Sequence, residues 1–126
     1  MILSRILAGE TCAVVSDAGM PCISDPGEDL VRLCASHDVP VTVIPGPSAA
    51  VSALAVSGLV TSRFTFEGFL STNKASRAKH LASLQNERRT MIFYEAPHKL
   101  LSTLSDLEEI FGADRPLSVC RELTKI

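Results

Sequence analysis

Three short stretches of this chain crowd together residue types that could hold a polar ligand. The first, Ser16–Gly27, packs two glycines, two prolines and two aspartates into twelve residues. Glycine allows left-handed backbone and close approach of a ligand to the main chain, and proline stiffens a loop while removing donors. Asp17 and Asp25 can accept hydrogen bonds from hydroxyls or an amine. Taken alone, they could equally cap turns. The second stretch, Ile44–Ala50, is a rigid Pro-Gly-Pro turn opening into small side chains. The first amides of a helix there could meet a polar group, or the small residues could simply allow close packing on a sheet. The third, Phe93–Lys99, sets Tyr94, Glu95, His98 and Lys99 side by side. Histidine is a residue type suited to proton transfer, so His98 could move a proton, or it could be an ordinary surface residue.

Further along the chain, Lys74, Arg77, Lys79, His80, Arg88 and Arg89 form a basic stretch. Such a stretch is either a solvated helix face or a surface for RNA phosphates. Arg88, Arg89, His98 and Lys99 are the candidate substrate contacts. Phosphate-binding and nucleophile signatures (G-x-x-x-x-G-K, G-x-G-x-x-G, G-x-S-x-G) do not occur. Cys12, Cys22, Cys34 and Cys120 form no C-x-x-C pair and have no zinc spacing with histidine, so no metal is expected.

The elements that must position these turns alternate in type. Continuous apolar, β-branched runs predict buried strands at 12–16, 39–44, 90–94 and 117–120, with an extended segment at 64–70 broken by Gly68. Apolar residues at helical spacing predict helices over 29–36, 74–85 and 100–111. Small residues predict another over 48–58, with Ser48 at its N-cap and Gly58 as its stop. Strand–helix alternation is the signature of an α/β fold. Each of the three turns is then expected at the carboxyl end of a strand, where α/β proteins bind ligands.

Bulk properties agree with that class. The chain is 46% hydrophobic and 5% aromatic, enough for a core of aliphatic side chains. Residues 1–62 carry two arginines against six carboxylates, while 63–126 carry ten basic residues against eight carboxylates. That change of sign, with a candidate boundary at 61–64, predicts parts of two domains, 1–62 and 63–126. Apolar runs are too short for a membrane span, and few cysteines suggest a reducing compartment, so a cytoplasmic protein without a membrane partner is expected.

Five motifs in order carry a resemblance: Val15–Gly27, Pro45–Ala49, Gly68–Leu70, Phe93–Lys99 and Arg121–Lys125. Together they resemble the tetrapyrrole methylase superfamily, closest to its branch that methylates small-subunit ribosomal RNA. The resemblance implies parts of two α/β domains with a cleft between them that holds S-adenosyl-L-methionine, and commonly a homodimer. It implies cofactor contacts at Ser16, Asp17, Ala18, Ile23, Ser48, Ala49, Tyr94 and Glu95, and it carries over no catalytic residue. The implied reaction is methyl transfer to a ribose 2′-hydroxyl of ribosomal RNA in the small subunit. The alternatives are methylation of a corrin or porphyrin carbon, or a truncated module without catalysis. The family's opening strand and Gly/Pro-rich loop do not precede Ser4, and its second domain continues past Ile126. The chain is therefore expected to be an internal fragment, inactive alone. Met20, Cys22 and Ser71 stand where the family favours Thr, Leu and Pro.

Overall fold

In a computed structural model, which describes residues 2–125, the chain runs α1 (Ile2–Leu7), α2 (Glu28–Ser36), α3 (Ala49–Val56), β1 (Phe64–Phe69), α4 (Lys74–Ser83), β2 (Thr90–Tyr94), a 3-10 turn (Pro97–Lys99) and α5 (Leu100–Phe111). β1 and β2 pair in parallel. A tight turn cannot join parallel strands, so the chain crosses over through α4. The fold is α/β, as the alternating pattern predicts.

Local chemistry explains the element ends. Asn73 caps α4, its side chain accepting from Ser76 N at 3.0 Å. α5 ends at Gly112, whose φ of 83° lies outside the range most residues tolerate. The ladder slips between Phe66 and Gly68, so Glu67 is an extra residue on β1. Gly68 takes φ 64° to absorb this bulge. The bulge re-aims Glu67, whose carboxylate lies 2.9 Å from His80 Nε2 on α4.

Contacts group the chain into two compact units, Met1–Ala49 and Ala50–Ile126. In the first, α1 lies against α2, and Cys34 is the buried hydrophobic side chain. In the second, Ala50, Leu54, Leu70 and Leu81 form the core, with Leu81 only 2% exposed. α3, expected to close the first domain, falls from Ala50 onward in the second unit, ahead of the expected boundary at 62/63.

The structure corrects the sequence reading at three expected strands. Residues 12–16, 39–44 and 117–120 belong to no strand, whereas α1, which the sequence reading did not include, is a helix. Apolar β-branched runs report a tendency to be extended and buried, but a strand also needs a neighbour for its N–H and C=O groups. Among the described residues only β1 and β2 supply one another with that neighbour. Without it, Val15 and Ile44 are each 85% exposed.

One core detail gives a stability test. The Thr65 hydroxyl on β1 is buried with no hydrogen-bond partner among the described residues. An unsatisfied buried hydroxyl costs about 1–3 kcal/mol. Thr65→Val keeps the shape and removes the polar atom, so the urea midpoint is expected to rise by the equivalent of about 1 kcal/mol. An equal fall would show that the hydroxyl has a partner.

Candidate functional site

In the first unit, the loop Ser16–Gly27 folds against the Pro-Gly-Pro turn. The Ser16 hydroxyl lies 3.3 Å from Ala18 O and 3.4 Å from Gly19 O, turned into its own loop. Gly46 N donates to Met20 Sδ at 3.1 Å. A side chain at Gly46 would crowd that contact, whereas one at Gly19 would meet the turn at an ordinary distance. A Cβ on Gly19 would sit 3.4 Å from Pro47 O, and one on Gly46 would sit 3.2 Å from Met20 Sδ.

The loop also carries strain. Cys22 and Ser24 take φ 70° and 55°, a region that non-glycine residues seldom adopt. Gly27 takes φ 128°, and a Cβ there would lie 2.8 Å from Cys22 Sγ. Strained backbone persists only where its surroundings hold it, and it gathers at ligand sites. Of the expected cofactor contacts in this unit, Asp17, Ala18, Ile23 and Ala49 are exposed, and Ser16 and Ser48 are half-buried.

In the second unit, the expected contacts Tyr94 and Glu95 lie at the end of β2. The Tyr94 hydroxyl accepts from Ala50 N at 3.0 Å, satisfying a first-turn amide of α3. Its ring meets Phe66 and Phe69 edge-on, with centroids 5.0 and 5.4 Å away. Glu95 is held on both oxygens. Oε1 accepts from Ala96 N at 2.8 Å, and Oε2 accepts from the Thr103 hydroxyl at 2.6 Å. Arg77 stands behind them, with Nη1 3.8 Å from Glu95 Oε2. Burial pushes the Glu95 carboxyl up, but the Thr103 hydroxyl, the Ala96 amide and the charges of Arg77 and Lys99 together outweigh it. The carboxyl lies below its ordinary range and is ionised at neutral pH.

The basic stretch does not act as one surface. Arg77 is half-buried and turned inward, its Nε donating to Asp106 at 2.5 Å and its Nη2 to Thr103 at 2.9 Å. His80 is joined to Glu67, and Arg89 forks onto Glu87 at 2.6–2.9 Å, which lowers the Glu87 carboxyl to about 2. Lys74, Lys79 and Arg88 are exposed. Arg88 and Arg89 line an open cavity of about 510 Å³ floored by Met91, Leu104, Leu107 and Phe111. They precede β2 whereas Glu95 follows it, so the strand's length, about 17 Å, separates the two groups. His98 is exposed and Lys99 half-buried in the 3-10 turn beside Glu95. In the last motif, Glu122 pairs with Lys125 at 3.0 Å and lies 3.9 Å from Arg121, all at the surface.

Sequence reasoning missed Thr103 and Asp106 and misplaced Arg77. One signal was available. Thr103 falls at helical spacing on the stripe of Leu100, Leu104 and Leu107, and a hydroxyl on an apolar stripe needs a buried partner.

A family model described as "Tetrapyrrole (Corrin/Porphyrin) Methylases" matches residues 1–125. The chain is 53% identical over 124 residues to "Ribosomal RNA small subunit methyltransferase I" of Synechocystis sp., covering 98% of this chain and 44% of that protein. It is 53% identical over 125 residues to the protein of the same name from Xylella fastidiosa, covering 99% of the chain and 46% of that protein. For the Thermotoga maritima protein of that name the identity is 50% over 125 residues, covering 99% of the chain and 55% of that protein. The chain thus spans about half the length of these relatives.

Proposed function

The chain belongs to the tetrapyrrole (corrin/porphyrin) methylases, and from that premise we propose that it is part of a methyltransferase using S-adenosylmethionine on small-subunit ribosomal RNA. The observation that carries this reading is the relatives' shared name, at 50–53% identity across nearly the whole chain. The acceptor is a ribose 2′-hydroxyl. The protein works in the cytoplasm as a homodimer, with residues 1–62 and 63–126 contributing to its two domains.

The residues present fit such a methyl donor. Its amine and ribose diol are donors, and Asp17 and Asp25 offer carboxylates beside glycines that admit close approach. Ile23, half exposed, offers apolar surface for a ring. Ser48, Ala49, Tyr94 and Glu95 complete the proposed contacts. When bound, S-adenosylmethionine supplies a sulfonium methyl already activated for attack. The chain's own task would then be orientation: the loop and the turn would hold the donor so that an acceptor hydroxyl stands in line with the methyl, whose transfer would break the S–CH3 bond, leave S-adenosylhomocysteine and release the hydroxyl proton to solvent. Glu95, ionised and doubly hydrogen-bonded, serves as an acceptor that orients a donor group. Lys99, His98, Arg88 and Arg89 are proposed substrate contacts.

The test uses the full-length protein, small ribosomal subunits and labelled S-adenosylmethionine. Methylation of a 2′-oxygen is expected to protect one phosphodiester bond from alkaline cleavage, because that bond loses its internal nucleophile. Label in the RNA without such protection would move the acceptor to a base. Label on an added porphyrinoid, with none on the subunit, would favour the ring-carbon reading that the family description allows.

A further inference from the structure

A buried polar network sits behind Glu95, and no part of the proposed chemistry accounts for it. Arg77 on α4 and Glu95 at the end of β2 keep only 13% and 12% of their side-chain surface exposed. Thr103 on α5 is 3% exposed. The donors run outward from Arg77, to Asp106 on one side and through Thr103 to Glu95 on the other. Asp106 accepts from Arg77 Nε at 2.5 Å, Arg77 Nη2 donates to the Thr103 oxygen at 2.9 Å, and the Thr103 hydroxyl donates to Glu95 Oε2 at 2.6 Å. A threonine hydroxyl has one proton to give. With its oxygen occupied by a guanidinium N–H, that proton points at Glu95. Three elements therefore converge on one carboxylate, and buried polar groups linked in this way hold one another in place.

We propose that Arg77 and Thr103 are positioning residues for Glu95, fixing Oε2 while the Ala96 amide holds Oε1, so that the carboxylate accepts a hydrogen bond from an N–H or O–H group of the methyl donor. The proposal rests on the reading of Glu95 as a cofactor contact. The charged groups facing Glu95 are Arg77 from α4 and Lys99 from the 3-10 turn, with Asp106 on α5 balancing Arg77. Lys99 remains in every variant below. Thr103→Val removes the single proton donated to Oε2 and leaves the Arg77 Nη2 group unmatched. Burial, which pushes the carboxyl up, then has less opposing it.

The sign follows from ionisation. A carboxylate held low accepts hydrogen bonds down to its lowered pKa, and its contribution to binding is lost as pH falls through that value. In the full-length protein, S-adenosylmethionine affinity is titrated by calorimetry against pH; any contribution of Asp17 and Asp25 is common to every variant, so the parental profile is the reference. In Thr103→Val the fall should begin at higher pH, with affinity at neutral pH about tenfold weaker. Thr103→Ser should restore both. A Thr103→Val profile that superposes on the parental one overturns the proposal. The Glu95 carboxyl carbon resonance, followed by NMR against pH without ligand, separates the two readings. If the protein binds no S-adenosylmethionine at any pH, the cofactor reading fails, and an unmoved Glu95 titration in Thr103→Val then overturns the positioning role as well.

Discussion

Replacing Gly27 by alanine in the full-length protein is expected to weaken S-adenosylmethionine binding by at least tenfold. Two separate penalties combine at this position. The φ of 128° is a conformation that side chains rarely adopt, which costs about 1–3 kcal/mol. The new Cβ would also lie 2.8 Å from Cys22 Sγ and 3.2 Å from Val14 Cγ1, and overpacking of that kind costs a further ~1–3 kcal/mol. The loop must therefore give way, and with it the contact between Met20 and Gly46 that ties the loop to the Pro-Gly-Pro turn. At about 1.4 kcal/mol per tenfold change, even the lower end of the combined penalty exceeds one decade if it falls on the binding-competent loop. Cys22→Ala added to Gly27→Ala removes the Sγ contact but not the φ strain, so the double variant should recover part of the loss. Calorimetric titration alongside thermal unfolding separates lost binding from lost fold. Parental affinity in the single variant would place the loop outside the cofactor site.

How much of this was legible in the sequence depended on whether the determining interactions were local. α5 falls on Leu100–Phe111 as its leucine spacing predicts, and β2 on Thr90–Tyr94, because periodicity and the Gly112 stop act within a few residues. The runs at 12–16, 39–44 and 117–120 look like strands by the same criteria. Pairing is a long-range property, however, and these segments have no ladder among the described residues. The candidate site divides in the same way. The strained loop was visible in its glycines and prolines, whose backbone preferences are intrinsic. The hold on Glu95 was not visible, because Arg77 and Thr103 lie 26 positions apart and meet only after α4 and α5 pack. A run of basic residues gave no sign of which ones would be committed inward. That depended on the bulge at Glu67, on Asp106 and on Glu87.

That sorting of the basic residues sets the second large effect. Arg77, His80 and Arg89 already have carboxylate partners, whereas Lys74, Lys79 and Arg88 present exposed charge. If the protein docks on ribosomal RNA, these three are the groups free to displace counterions from phosphates. Each phosphate contact contributes roughly 0.7–0.9 to the slope of log affinity against log salt. Removing all three as Lys74→Ala, Lys79→Ala and Arg88→Ala is therefore expected to flatten that slope by about 2–3. On the same relation, affinity for the small subunit near 0.1 M salt should fall about 100- to 500-fold. Arg89→Ala is the internal comparison. Its charge is already matched by Glu87, so it should change the slope by well under one unit. S-adenosylmethionine affinity should be unchanged in the triple variant, because none of the three residues belongs to the loop, the turn or the Glu95 network. A filter-binding salt series on the full-length protein decides it. If the triple variant keeps the parental slope, these side chains are a solvated face, and RNA must be held from elsewhere, with His98 and Lys99 beside Glu95 the next to test. If Arg89→Ala alone flattens the slope as much as the triple variant does, the Glu87 fork opens on binding, and the cavity at the start of β2 becomes the surface that meets RNA.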